Sequence, residues 1–224
     1  MKKTKLITLA VISSLFLTIT GCGQSDVKNI TATAETFLQA ATDCDIEVAS
    51  STCQSTVFSD IGLDALSTEH VENIIYTNMQ IEKEALSENS QNAVTDFATY
   101  YASNLIQSFS ISDASVSDDI GLVNATITTY SMDALSSLSS EAFKTNLTNL
   151  MTHYKEENKS ELISVSLNQG QEAMMNKIFD DLMPDIMELM KQSYSGYTPE
   201  EVKIILTLEK TEDTWIITKA SFAE

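Results

Sequence analysis

The sequence contains no arginine. All 13 of its basic residues are lysine, and they stand against 32 aspartates and glutamates in 224 residues. Nucleic-acid binding depends on neutralising phosphates with lysine and arginine, and arginine supplies the planar fork that grips phosphate best. We therefore expect no nucleic-acid partner and no polybasic surface for an anionic membrane. The excess of carboxylates is typical of a solvated acidic exterior, with a cationic partner or a metal ion as the alternative.

Residues with catalytic or metal-binding chemistry are also scarce. There are two histidines, His70 and His153, and three cysteines, Cys22, Cys44 and Cys53. No C-x-x-C pair, zinc ligand set or G-x-S-x-G segment is present. His153 stands beside Lys155 and Glu156, which is typical of a surface position. The sequence therefore predicts no catalytic residues, no metal site and no cofactor.

The amino terminus has the layout of a secretory signal. The basic start MKKTK precedes the apolar stretch LITLAVISSLFLTIT, which is short for a membrane span and is interrupted by Ser13 and Ser14. The following residues 19–22, Ile-Thr-Gly-Cys, resemble the lipobox of bacterial lipoproteins. That resemblance implies cleavage after residue 21, a lipid on the Cys22 thiol, a tether over 22–29, and an extracytoplasmic protein held on the bacterial membrane.

The other two cysteines form an even pair in a compartment that permits oxidation. Cys44 and Cys53 would close a loop of about ten residues, and a bridge of that size stabilises by roughly 2–3 kcal/mol. We expect a structural disulfide. Two free thiols, one of them buried on a helix, are the alternative.

The hydrophobic pattern predicts one domain over 30–224. Apolar residues recur at helical spacing, and the predicted helices are 30–48, 60–66, 69–86, 90–105 and a long region 132–193. The charged patch 155–161, Gly170 and Pro184 are expected to break or kink that region. Alternating segments flank the turns SDDIG and KTED, and they predict two β-hairpins. The second hairpin carries the only tryptophan, Trp215, which we expect to be buried.

Two hairpins and several helices predict an α+β fold with a four-stranded antiparallel sheet, covered by helices on one face. The lipobox, the early helix ETFLQAATDCD and the ending VKIILTLEKTEDTWIITKASF are similar to the cystatin-like or nuclear-transport-factor-two-like cone domains of Gram-positive lipoproteins. The resemblance implies that cone fold. It does not transfer a function, because the family spans enzymes and binding modules.

Five methionines lie within 174–190. Met183, Met187 and Met190 share one helix face, where thioethers could line an adaptable groove for an apolar ligand, fill the core, or bind a soft metal. We expect the groove, since a well-specified core uses fewer methionines. A carboxylate stripe on the same helix, Asp181, Asp185 and Glu188, is expected to be a solvated face, because no calcium-binding loop accompanies it.

These observations predict a lipid-anchored, non-enzymatic binding module at the cell surface. Its expected partners are the membrane, through Cys22, and an envelope protein or a small apolar ligand. Two alternatives remain. One is a ligand-capture lipoprotein for a transporter, for which the chain is short, and the other is a small enzyme with a cone-fold cavity.

Overall fold

The structure, a computed structural model, describes residues 23–130 and 140–223. The described helices are α1 (Gly23–Thr42), α2 (Ile46–Ser51), α3 (Thr56–Asp60), α4 (Thr68–Met79), α5 (Glu88–Ser103), α6 (Glu141–Glu157), α7 (Lys159–Gln169) and α8 (Gln171–Ser195). The strands are β1 (Ile106–Ser117), β2 (Ile120–Thr129), β3 (Glu200–Thr211) and β4 (Thr214–Phe222). Short 3₁₀ turns lie at Leu63–Leu66 and Lys83–Ala85. The predicted α+β class is confirmed.

The four strands form one antiparallel sheet in the order β1-β2-β3-β4. Both predicted hairpins are present, and pairing of β2 with β3 joins them, with Val123 opposite Leu206. The hairpin turns contain Asp118 and Glu212, which adopt positive φ values of 54° and 58°. Ile120, at the start of β2, pairs with Glu209, near the end of β3, so the two hairpin tips lie at the same end of the sheet.

One face of the sheet is apolar and covered. Its buried side chains alternate along the strands, as expected for a half-buried sheet: Val123, Ala125, Ile127, Ile204, Leu206, Leu208, Trp215, Ile217 and Ala220. Helix α1 lies on this face, with Ile30, Ala34, Phe37, Leu38 and Ala41 buried along one side. A Cβ atom on Gly121 would lie 2.7 Å from Ile30 Cγ2, so glycine permits the close approach of α1.

The first turns of α1 correct the predicted tether. Residues 23–29 are helical, and the Asp26 carboxylate accepts hydrogen bonds from Lys210 Nζ at 3.1 Å and from Trp215 Nε1 at 3.3 Å. Trp215 is 3% exposed, so its predicted burial is confirmed. The Asp26 carboxylate supplies the acceptor that the buried indole N–H needs. These two hydrogen bonds attach the amino-terminal end of α1 to the last hairpin.

The helical region after β2 is divided as predicted at two of three positions. One helix ends and the next begins at Asn158 and again at Gly170, whose φ of 95° suits glycine. At the third position the helix does not break, because Pro184 lies inside α8. Its neighbours Met183 and Ile186 are fully buried, and this packing maintains the helix across the missing N–H group.

Candidate functional site

The predicted methionine groove is not present. Met183 is 0% exposed, and Met187 and Met190 are each 3% exposed. This face of α8 packs in the core, and the start of α5 is fastened to α8 where Ser90 Oγ donates to the backbone carbonyl of Asp180 at 2.6 Å. The groove expectation was therefore wrong. The flexible thioethers are part of the buried core, where methionine fills irregular gaps well.

The predicted disulfide is not formed either, since Cys44 and Cys53 are both free thiols. Helix α2 lies between them in the chain, and a disulfide needs Cα atoms within about 7 Å with side chains that face each other. Cys53 Sγ donates instead to the carbonyl of Ala49 at 3.4 Å. The expectation failed because a sequence separation of nine residues does not report the helix in between.

The carboxylate stripe and the histidines are surface features. Asp181 accepts from Tyr154 Oη and pairs with Lys177 at 2.8 Å, and Lys177 also reaches Glu161 at 3.1 Å. Burial, followed by the hydrogen bond to Asp181, raises the pKa of Tyr154 to about 12. This cluster links α6, α7 and α8, which makes it structural. His153 is exposed and lies 3.2 Å from Glu157.

Asp185 and Glu188, the rest of the stripe, are exposed. Across 23–130 and 140–223, no cluster of three or more His, Cys, Asp or Glu side chains is placed to hold a metal ion. Cys22, the predicted lipidation site, lies outside the described residues. No described helix has both the length and the apolar character that crossing a membrane requires.

A pocket of about 360 Å³ brings Cys53 and His70 to one cavity, together with Asp64. These residue types could form a nucleophile, a base and an orienting group. Burial, however, raises the pKa of Cys53 to about 11, so the thiol stays protonated at neutral pH. A protonated thiol is a poor nucleophile. The surroundings of Cys53 therefore disfavour the thiolate that nucleophilic chemistry by cysteine requires.

A more open concavity lies between α1 and the edge strand β1, and we call it the β1 groove. Its volume is about 740 Å³. Apolar side chains contribute to its lining: Ala40, Val48, Phe109 and Ile111. Carboxylates and amides stand along its helical side: Glu35, Gln39, Asp43 and Asp45. The β1 groove therefore combines an apolar surface with an acidic wall.

The acidic wall is held in place by local structure. Asp45 is the N-cap of α2 and accepts from the backbone N–H of Val48 at 3.1 Å, while Asp43 accepts from Gln39 Nε2 at 2.8 Å. The lining residues include three carboxylates and no lysine. Charges of one sign along a cleft concentrate counter-ions of the opposite sign. The β1 groove therefore favours a cationic ligand.

Strand β1 itself is accessible from the groove. It is the first strand in the sheet order, and within the described residues no strand pairs with its outer side. Its pairing with β2 is regular from Ser108 to Ile111, and register shifts flank this stretch on both sides. Phe109, Ser110 and Ile111 line the groove. The groove thus contains a short length of unpaired sheet edge.

Reasoning from the sequence missed this site. The periodic pattern identified α1 and β1 separately. The only available signal was the polar helical stripe of Glu35, Gln39 and Asp43, at spacings of four residues.

No protein-family profile matches the chain, and no curated protein matches it. Among solved structures, it is similar to the crystal structure of ycdA from Bacillus subtilis, a protein assigned as a lipoprotein. Identity is 17%, the TM-score is 0.38, and the match covers 85% of this chain. The chain spans a little over half of the other protein, at 55% of its length. A TM-score of this size does not establish a shared fold.

Proposed function

We propose that the protein is a lipid-anchored, extracytoplasmic binding module that takes a cationic partner in the β1 groove. The observation that carries this proposal is the acidic wall, Glu35, Asp43 and Asp45, beside the apolar side chains of Phe109 and Ile111. Recognition sites typically combine apolar contact area with a few placed polar groups. Here the polar side chains are three carboxylates, one amide and two hydroxyls, and the charged ones are all negative.

Binding is better supported than catalysis by the chemistry of the described side chains. Cys53 carries a raised pKa, which opposes formation of the reactive thiolate. Tyr154 and Asp181, which could act as an acid–base pair, are engaged in the cluster that links α6, α7 and α8. The β1 groove contains no histidine, cysteine, serine–histidine pair or tyrosine among its lining residues.

Attachment to the membrane is proposed on the lipobox-like residues 19–22. A diacylglyceryl group on Cys22 supplies two acyl chains, which meets the requirement for stable anchoring. Since α1 begins at Gly23, the anchor would join the domain with almost no spacer. Cell fractionation of a Cys22→Ala variant tests this part. The variant should leave the membrane pellet and lose lipid label, and retention of both would refute the anchor.

The groove is tested by charge neutralisation in the full-length, detergent-solubilised protein. The probe is the fluorescein-labelled peptide Lys-Thr-Val-Thr-Lys, and binding is measured by fluorescence anisotropy. A variant with Glu35→Gln, Asp43→Asn and Asp45→Asn keeps the side-chain shapes and the α2 cap. It should bind at least about tenfold more weakly, with a smaller dependence on salt.

The matched control removes the same three charges elsewhere, at the exposed positions Glu156, Glu172 and Glu200. Glutamine at these positions changes the net charge by the same amount and leaves the β1 groove intact. The control should bind the probe as the unaltered protein does, apart from a small general charge effect. Equal weakening in both variants would show that the overall acidity of the protein, and not this groove, attracts the peptide.

A further inference from the structure

We infer that the ligand of the β1 groove is an extended, lysine-bearing segment of a partner protein, which adds to the outer edge of β1 as a fifth strand. This inference rests on the proposed function, because it specifies how the cationic partner is held. Extended peptides add to exposed sheet edges in several recognition domains, where main-chain hydrogen bonds give affinity and side-chain pockets give specificity.

The edge of β1 is suited to strand addition. Sheet edges are commonly protected by lysine, proline, bulges or covering segments. Strand β1 has neither lysine nor proline, and its register shifts lie outside Ser108–Ile111. Within the described part of the chain, α1 lies beside this stretch but leaves the 740 Å³ groove between them. An added strand of about four residues fits the regular stretch, because each strand residue advances about 3.3 Å.

The side chains of the added strand would meet different surfaces in alternation. Those on the α1 side lie near Phe109 and Ile111, which are half-buried on the inner face. Those on the other side lie near Ser108 and Ser110, which are exposed. The segment is therefore expected to alternate between residues for the acidic, apolar wall and small polar residues.

The spacing of the groove carboxylates matches the spacing of side chains along an extended peptide. Glu35 lies in α1, and Asp43 directly follows its last residue, Thr42, with the Asp43 N–H still donating to the Gln39 carbonyl. Their separation of eight residues corresponds to about 12 Å along the helix axis. Residues four apart in a strand are about 13 Å apart. Two lysines with three residues between them can therefore reach both carboxylates, while the central residue faces the apolar lining. The pattern that the groove favours is Lys-x-apolar-x-Lys.

Charge favours a foreign segment over a second copy of this chain. The protein carries a formal charge of −19, and β1 contains Asp113 and no basic residue. Pairing two β1 edges would bring two acidic grooves together, which is unfavourable. A cationic segment reverses the sign of this interaction.

The test is an N-methylation scan of Lys-Thr-Val-Thr-Lys on the full-length protein. In a strand, backbone N–H groups point to alternate sides, so only one alternate set can bond to β1. One peptide carries N-methyl groups on the two threonines, and its matched partner carries them on the first lysine, the valine and the last lysine. We expect one of the two to bind at least about tenfold more weakly than the other.

A second measurement locates the contact on the protein. Amide hydrogen exchange at residues 108–111 should slow when the unmethylated peptide is added, and residues 214–222 of β4 should not change. Equal affinities for the two methylated peptides, with the unmodified peptide bound, would overturn strand addition and leave the cationic groove standing. Absence of binding by the unmodified peptide would overturn both. Protection of 108–111 that rises with protein concentration alone would assign the edge to self-association instead.

Discussion

The two edge strands of the sheet, β4 and β1, differ in the hydrogen bonds that their outer sides make. At the β4 edge, the backbone N–H of Gln54 donates to the carbonyl of Ile217 at 2.8 Å, and the Ile217 N–H donates to the carbonyl of Thr52 at 3.0 Å. Farther along, the Asp60 carboxylate accepts from the Ala220 N–H at 3.1 Å. At the β1 edge, no such partner is found within 23–130 and 140–223, and a groove adjoins the strand.

This difference is informative because an unpaired edge is a hazard. Exposed N–H and C=O groups can recruit other chains, and proteins usually block them. The segment between α1 and α4 supplies that block for β4 with both backbone and side-chain groups. In the part of the chain that the structure describes, no such groups cover β1, and acidic side chains line the groove that adjoins it. The comparison therefore separates an edge closed by the chain itself from an edge that, in our proposal, receives a partner.

Removing a large side chain should destabilise the protein more at the β4 side of the sheet than at the β1 edge. Trp215→Ala removes a buried aromatic and its hydrogen bond to Asp26, so we expect a loss of about 3–5 kcal/mol in the free energy of unfolding. Phe109→Ala, at the open edge, should cost less because Phe109 is only half-buried. Urea unfolding of both variants measures the difference. Equal losses would contradict the distinction between the two edges.

The hydrogen bond between Asp60 and the β4 backbone should contribute measurably to the free energy of unfolding. Asp60→Ala leaves the Ala220 N–H without its acceptor, and a loss of about 1–3 kcal/mol is expected. Asp60→Asn retains a carbonyl acceptor and should lose less. Unfolding midpoints and exchange of the Ala220 amide report the effect. An unchanged exchange rate in Asp60→Ala would show that other contacts close this edge.

The contact of α1 with the last hairpin predicts a pH dependence. Hydrogen bonds from Lys210 and Trp215 lower the pKa of Asp26 below its ordinary 3.8. Because the pKa is lower in the folded state, the stabilisation is complete above the ordinary pKa and is lost as pH falls through the lowered value. Asp26→Asn should therefore flatten the acid limb of the unfolding curve below about pH 4. An identical acid limb in both proteins would remove Asp26 from this role.

The smallest effect on stability is expected at the open edge itself. Ser110→Lys places a charge on an exposed position of β1 and should change the unfolding free energy by at most about 0.5 kcal/mol. Lysine on an edge opposes strand addition and repels a cationic peptide. Affinity for Lys-Thr-Val-Thr-Lys should therefore fall while stability does not. Unchanged affinity in a folded Ser110→Lys protein would argue against the β1 edge as the binding surface.

The predictable parts of the molecule are those in which a local pattern has one structural solution. Alternation in VKIILTLEK and TWIITKASF predicted β3 and β4, because a half-buried strand must place every second side chain inward. The glycine break at Gly170 followed from a backbone conformation that other residues avoid. Apolar spacing also predicted most of α1, although its helix extends to Gly23 where a tether was expected.

The incorrect predictions concern features that tertiary contacts decide. Met183, Met187 and Met190 were assigned to one helix face correctly, but the core that covers that face comes from distant parts of the chain. Cys44 and Cys53 are close in sequence, yet α2 separates them. Pro184 normally disrupts a helix, but here tertiary packing outweighs the local cost.

Composition was enough to predict an acidic exterior. Periods of two and 3.6 residues were enough to predict the two hairpins and the α+β class. The tertiary structure alone decided that α1 lies beside β1, that residues 52–60 close the β4 edge, and that Glu35, Asp43 and Asp45 share a groove with Phe109 and Ile111. The physical reason is that a groove is formed by surfaces far apart in the chain. Their meeting is set by the packing of the whole core, which no local period encodes.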